Sequence, residues 1–389
     1  MLVCGEPSGD QLGAQLMAGV RQIAGQAVEF IGVGGPAMSA QGLDSLFPLD
    51  ATAVMGLREV MPRIPEILRR VRRASDYALA ARPDAVVCID SPDFTHRIAQ
   101  RLRRLDANIA TVNYVAPQVW ASRQYRARKM ARYFDLVLAL LPFEAPFFEA
   151  HGLHARFVGH PVVERAARIS GGTGLRQRLG IALDAPLVGV LPGSRMSEIR
   201  PLLPIFADTI ARTCAQIPQL ACVLPAVPHL APTIRRLAQS WPTPLHVVEE
   251  ESDKFAAFDA MDVALAASGT VTTELTLAGV PMVVAYRVGW LTGVLVRPFI
   301  RVRYITLINL LLERQAVPEF IQNRCRAGLL APALLRLLQN EGERQRQGHD
   351  LAEASHLLGR DEEAPSLRAA RALLDFVRER RDQRRSRGR

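Results

Sequence analysis

The chain has 389 residues, enough for two or three domains that each bury a core of their own. At 49% hydrophobic and 22% charged its composition is ordinary for a soluble protein, and no run approaches the ~20 uninterrupted apolar residues needed to span a bilayer. The net charge of +10 is uneven: residues 378–389 hold seven Arg against Glu379 and Asp382. Such a tail suits anionic lipid head groups or nucleic acid, and equally a frayed, solvated terminus.

The five cysteines (Cys4, Cys88, Cys214, Cys222, Cys325) are odd in number and include no C-x-x-C pair. This argues against a zinc site and for buried free thiols in a reducing compartment. The opening Met1-Leu-Val-Cys-Gly reads as the end of a strand and lacks the basic segment of a secretory leader.

Along the chain, short apolar runs alternate with longer amphipathic ones, the pattern of β-α-β units and parallel sheets. Strands are predicted at Leu2–Cys4, Ala85–Ile89, Ala110–Val115 and Leu136–Leu140 in the first half. In the second half they fall at Leu187–Leu191, Ala221–Leu224, Leu245–Val248, Val263–Ala266 and Met282–Ala285. A helix carrying Leu12, Leu16, Val20 and Ile23 on one face follows the first strand, and further helices are expected at 197–216, 229–240 and 270–279. The halves meet near 160–175, where a polar, glycine-rich stretch (Ile169–Gly174) precedes the next strand. The expected organisation is therefore an α/β chain of two Rossmann-like, doubly wound domains, residues 1–165 and 166–345, facing across a cleft. Helices over 346–380, with Leu367, Ala370, Leu374 and Val377 on one face, can pack back on the first domain, and 381–389 is expected as a basic, disordered tail.

Each motif of interest falls just after a predicted strand. Gly5-Glu6-Pro7-Ser8-Gly9-Asp10 can present free helix-start N–H groups to an anion or a sugar, or be a plain turn with Ser8 or Asp10 as N-cap. It lacks the G-x-G-x-x-G spacing of a dinucleotide site. In Asp90-Ser91-Pro92-Asp93-Phe94 two acids compete for the role of general base, and spacing does not separate them. Leu191-Pro192-Gly193-Ser194-Arg195 offers a loop and a guanidinium to a leaving diphosphate, or an Arg195–Glu198 surface pair. Ser268-Gly269-Thr270 supplies hydroxyls at a helix start, and Glu274 lies one turn on, where a carboxylate can hold two ribose hydroxyls. The segment after Met55-Gly56 is amphipathic and basic: Ile64, Ile67, Leu68 and Val71 share one side, with Arg63, Arg69, Arg70, Arg72 and Arg73 around them. It fits an anionic membrane surface or an ordinary surface helix, and Trp290–Leu312, broken by Arg297, Arg301 and Arg303, is a second such patch.

Taken in order, these strings resemble the lipid-A-disaccharide synthase family. The match rests on GEPSGD (5–10), GVGGPAM (32–38), MG (55–56), SPDF (91–94), YVAPQVWASR (114–123), PFEAPFF (142–148), FVGHP (157–161), LPGSR (191–195) and ASGTVTTE (267–274). Asn309-Leu310-Leu311 and Pro318-Glu319-Phe320 extend it to about residue 340. The resemblance implies a metal-independent, cofactor-free, inverting GT-B glycosyltransferase. Its donor would be UDP-2,3-diacylglucosamine, its acceptor 2,3-diacylglucosamine 1-phosphate (lipid X), and its products the β-1,6-linked lipid A disaccharide 1-phosphate and UDP.

Carried over by motif, Asp93 is the general base, with Glu6 assisting. Gly193, Ser194, Arg195, Ser268, Gly269, Thr270, Glu274 and Asn309 form the UDP-sugar site, and Ser8, Gly9, Met55, Gln118 and Trp120 line the acceptor side. The resemblance also implies a cytoplasmic enzyme peripherally associated with the inner membrane, with a homodimer among the partner states and no nucleic acid. Thr95 and Ser122 depart from the residues usual at their positions, and the amino terminus is a few residues short, clipping the first strand. SPDF and YVAPQVW argue against other UDP-N-acetylglucosamine enzymes, such as the peptidoglycan transferase or the 2-epimerase. A nucleic-acid-binding role for the tail lacks an aromatic-interleaved basic platform.

Overall fold

The computed structural model describes residues 1–49, 64–120, 124–287 and 303–387. The chain forms two compact units: Met1–Pro161 together with Asp361–Arg389, and Val162–Arg360.

The first unit is built on seven parallel strands: β1 (Leu2–Cys4), β2 (Ile31–Val33), β3 (Asp44–Ser45), β4 (Val86–Ile89), β5 (Thr111–Tyr114), β6 (Leu136–Ala139) and β7 (Ala155–Phe157). Their order in the sheet is β3-β2-β1-β4-β5-β6-β7. The second unit has six parallel strands: β8 (Leu187–Leu191), β9 (Ala221–Pro225), β10 (Leu245–Val248), β11 (Val263–Ala267), β12 (Met282–Tyr286) and β13 (Glu319–Ile321), in the order β10-β9-β8-β11-β12-β13. The central strands are apolar throughout because helices cover both faces of each sheet; every residue of β4, β8 and β11 is buried. In each sheet the first strand of the unit sits where the winding reverses, with β4 beside β1 and β11 beside β8. The crevice outside the carboxyl ends at such a reversal is where open α/β sheets bind ligands.

All nine predicted strands are present, most within one residue of the expected ends. Four more (β2, β3, β7 and β13) were not anticipated; each is only two or three residues long, and β3, β7 and β13 lie at or next to a sheet edge. The helix Pro7–Ala24 buries Leu16, Met17 and Val20 as its periodicity requires.

The carboxyl-terminal region differs from expectation in two ways. The helix Glu341–Leu357 stays with the second unit, where Leu351 and Ala354 join the core and Ser355 Oγ donates to the Thr276 carbonyl at 3.2 Å. Only the last helix, Pro365–Arg387, packs on the first unit, with Ala369, Ala370 and Leu373 set against Leu16, Met17 and Val20. The tail expected to be disordered (381–389) is helical through Arg387; Arg381 pairs with Asp84 at 2.7 Å, and Arg380 just before it pairs with Asp135 at 2.7 Å. All five cysteines are free, and burial pushes the Cys4 and Cys88 thiols up to about 12. Among the described residues no helix is long and apolar enough to cross a membrane.

Candidate active site

The first unit brings two motifs together at its reversal point, one after β1 and one after β4. Glu6 takes an extended conformation (φ −141°) as the residue before the helix Pro7–Ala24, so neither Ser8 nor Asp10 is its N-cap. Ser8 instead donates to Asp90 Oδ2 at 3.1 Å, tying the two turns to each other. Gly9 permits this approach: a Cβ there would lie 2.9 Å from Cys4 Cβ and 3.3 Å from the Ile89 carbonyl oxygen. Asp10 is turned inward and only 4% exposed; it accepts the N–H groups of Gly35, Ala37 and Met38 at 2.7, 2.8 and 3.0 Å. It thereby caps the short helix Pro36–Ala40 from a distance and joins GEPSGD to GVGGPAM.

The turn after β4 separates its two acids. Asp90 and Ser91 both lie in the left-handed region (φ 51° and 44°), a strain of about 1–3 kcal/mol per residue that persists only where the surroundings hold it. Asp90 Oδ1 accepts the Ser91 N–H at 2.8 Å, so both of its oxygens serve the turn. Thr95 Oγ1 donates to the carbonyls of Asp90 and Ser91 at 2.6 and 3.1 Å. The departure at Thr95 therefore holds the turn from behind. Asp93 is exposed on the first turn of the helix Pro92–Leu105, and among the described residues its carboxylate makes no hydrogen bond or ion pair. Of the two acids, Asp93 is the one whose carboxylate is not engaged by the turn.

Beyond β5, Gln118 is exposed and Trp120 is half-buried. The Trp120 indole donates to Glu144 Oε1 at 3.1 Å and meets the Phe143 ring edge-on at 4.9 Å between centroids. Glu144, only 3% exposed, also accepts the N–H groups of Leu140 and Leu141 through Oε2, at 3.1 and 3.2 Å. This contact joins YVAPQVW to PFEAPFF. Burial pushes the Glu144 carboxyl up to about 7, against the opposing pull of those three donors. Met55, Ser122 and residues 288–302 of the second apolar patch lie outside the described residues. In the helix Ile64–Ala81, Val71 is buried whereas Ile64 and Leu68 are 44% and 39% exposed, so the expected apolar stripe faces the core at one end and solvent at the other.

In the second unit, the loops after β8 and β11 line one cavity of about 600 Å³. Gly193, Ser194 and Arg195 form one wall, Ser268, Gly269 and Thr270 another, and Glu274 lies at depth. Gly193 adopts φ 116°, and a Cβ there would fall 2.3 Å from Glu198 Oε2, so no larger residue fits. Glu198 accepts the Ser194 N–H at 3.1 Å but approaches Arg195 only to 4.0 Å; the Arg195 side chain is 59% exposed and open to a ligand. The helices Met196–Cys214 and Thr270–Ala278 begin at this cavity, and their leading N–H groups favour an anion.

Glu274 is not free: Lys254 Nζ sits 2.8 Å from each of its oxygens, and Arg165 lies 3.5 Å from Oε1. Both cations line the cavity, and the sequence reading missed both. The signals were present, since Lys254 is one of two lysines in an arginine-dominated chain and Arg165 follows FVGHP by four residues. Asn309, expected in the donor site, is not among the residues that line the cavity. It is fully buried, with Nδ2 donating to the Val317 carbonyl and Glu319 Oε1 at 2.8 Å each, and Oδ1 accepting the Val317 N–H at 2.9 Å. Glu319 in turn accepts the N–H groups of Ile305 and Thr306. These bonds consume the polar atoms of Asn309, and they explain why NLL and PEF occur together.

Two doubly wound parallel-sheet units, each with its motif loops at the reversal point, give the chain the GT-B fold. The S. aureus MnaA–UDP co-structure shares the fold, with a TM-score of 0.63 at 14% identity over 97% of this chain and 94% of that one. A family model described as lipid-A-disaccharide synthetase matches residues 1–372. The lipid-A-disaccharide synthase of Rhodospirillum centenum is 49% identical over 376 residues, covering 97% of this chain and 94% of that protein. The lipid-A-disaccharide synthase of Paramagnetospirillum magneticum is 43% identical over 385 residues, covering 98% of both. The chain belongs to the lipid-A-disaccharide synthase family, and its role is in making the lipid A disaccharide.

Proposed function

We propose that this enzyme transfers an acylated glucosamine from UDP-2,3-diacylglucosamine to the 6-hydroxyl of 2,3-diacylglucosamine 1-phosphate in a single inverting displacement. Asp93 takes the hydroxyl proton, and the oxygen attacks C1 of the donor sugar. The bond from C1 to the phosphate oxygen breaks with its electron pair, releasing UDP. Arg195 and the helix starts behind Ser194 and Ser268–Thr270 receive the negative charge that develops on the diphosphate. Glu274 holds the ribose hydroxyls, while Glu6, Ser8, Gly9, Gln118 and Trp120 stand on the acceptor side. The chemistry assigns no step to a metal or cofactor.

The observation that carries this reading is the cavity of the second unit, where two helix starts and an open arginine meet a deep carboxylate, as a nucleoside diphosphate requires. The MnaA co-structure contains UDP, which supports a uridine nucleotide here. Exposed Ile64 and Leu68, beside exposed Arg69 and Arg72, support peripheral contact with the cytoplasmic face of the inner membrane, where acylated substrates reside.

The test is to incubate the purified protein with the acylated UDP-glucosamine and lipid X and to follow UDP release and disaccharide formation. No disaccharide would remove the assigned substrates. Asp93→Asn should lose at least about a hundredfold in turnover with folding intact, and near-normal turnover would remove the base assignment.

A further inference from the structure

The cavity of the second unit has an unfavourable charge balance for an anionic ligand. Its lining carries Glu198, Glu249, Glu250, Glu251 and Glu274 against Arg165, Arg195 and Lys254. Pairing lessens the conflict at the rim: Glu249 meets Arg235 at 2.5 Å and Glu251 meets Arg168 at 2.9 Å. Glu274 is a different case, because its side chain is only 5% exposed and a buried carboxylate needs a close cation or it repels the ligand and the fold alike.

We infer that Lys254 is a positioning residue of the donor pocket, holding the Glu274 carboxylate in the orientation that receives the vicinal diol of the ribose. This rests on the reading of Glu274 given above and adds the group that makes it work. Lys254 reaches across from the helix Glu251–Ala260 to Glu274 on the helix Thr270–Ala278, and its ammonium lies equally close to both carboxylate oxygens. An ammonium bridging both oxygens restrains the carboxylate and leaves it acceptor capacity for a pair of hydroxyls. The ammonium is itself held over the rings of Phe255 and Phe258, 5.6 and 5.4 Å from their centroids, so the clamp starts from a fixed point. Arg165 adds a second cation 3.5 Å from Oε1.

The experiment compares binding of UDP and 2′-deoxy-UDP by calorimetry to the full-length wild-type protein, Lys254→Met and Lys254→Arg, with thermal unfolding as a check on folding. The wild type should prefer UDP by roughly tenfold, the equivalent of one hydrogen bond to a charged acceptor. Lys254→Met should weaken UDP binding and bring the preference close to one, and Lys254→Arg should restore most of it. Should Lys254→Met unfold, Lys254→Gln is read in the same way. A wild type that binds both nucleotides equally overturns the ribose role of Glu274 and this inference with it. A wild type that discriminates beside a Lys254→Met that discriminates equally overturns the inference alone. The same holds if the variant loses both nucleotides by one common factor, since Lys254 would then serve the diphosphate.

Discussion

Asp10 provides the sharpest test of how the first unit is held together. Its carboxylate accepts three N–H groups at 2.7, 2.8 and 3.0 Å while only 4% exposed. Asparagine keeps the shape but offers one acceptor. If its oxygen keeps the Gly35 and Met38 donors, its amide nitrogen faces the Ala37 N–H, donor against donor; the flipped amide leaves two donors unmet. One buried N–H left unsatisfied costs about 1–3 kcal/mol. The two surviving bonds lose their charge assistance, worth about 1 kcal/mol each. Asp10→Asn should therefore destabilise the first unit by roughly 3–5 kcal/mol. Two-unit unfolding is not one transition, so the assay is urea-dependent hydrogen exchange read by mass spectrometry on peptides of each unit. Protection should fall in peptides containing Gly35–Met38 and the adjoining strands, with UDP binding by the second unit unchanged. A loss of under about 1 kcal/mol in those peptides would refute the account of Asp10 as the cap of the helix Pro36–Ala40.

Glu144 should make stability depend on pH. Its carboxyl is raised from 4.5 to about 7, so the folded state holds a proton that the unfolded chain has lost, and stability falls as pH rises from about 4.5 through about 7. Relative to Glu144→Gln, the wild type should lose about 3 kcal/mol across that window in urea titrations; parallel profiles would remove the shift. Arg195→Ala should weaken UDP binding about tenfold or more by calorimetry, and unchanged affinity would take Arg195 out of the donor site. Replacing Ile64 and Leu68 together by Ser should reduce sedimentation with vesicles containing anionic lipid while leaving the fold intact, because both side chains are exposed. Equal sedimentation would place the membrane contact elsewhere.

The central strands could be read from the sequence because burial on both faces leaves unbroken apolar runs such as Leu187–Leu191. The short strands could not: Asp44–Ser45 is polar, and Ile31–Val33 is centred on Gly32, so neither leaves a hydrophobic period. The loops carrying chemistry were visible as glycine, proline and hydroxyl residues directly after strands. Their internal division of labour was not. Spacing could not distinguish Asp90 from Asp93, because what separates them is a left-handed turn that turns Asp90 back on Ser8 and Ser91. The bonds of Asn309 were hidden for a related reason: a polar residue in an apolar segment gives no sign in the sequence of its partners Val317 and Glu319. Lys254 and Arg165 could be singled out only as isolated residues, because they come from separate helices and meet only at Glu274.

The two units use one topological position in opposite ways. In both sheets the motif pair follows the strands at the reversal, β1 with β4 and β8 with β11, where helix starts expose N–H groups and favour negative charge. In the first unit the chain supplies that charge itself: Glu6, Asp90 and Asp93 stand at the starts of the helices Pro7–Ala24 and Pro92–Leu105. A phosphate there would meet carboxylates already in place, whereas a neutral hydroxyl would find an acceptor for its proton. In the second unit Arg195 and Glu198 both stand at the start of the helix Met196–Cys214, whereas the helix Thr270–Ala278 has no acid in its first turn and its deeper Glu274 is paired with Lys254 and Arg165, which leaves that helix start available to an incoming anion. The first unit thus carries at a helix start an acid, Asp93, that is unpaired among the described residues, whereas the deep acid of the second unit is compensated by two cations.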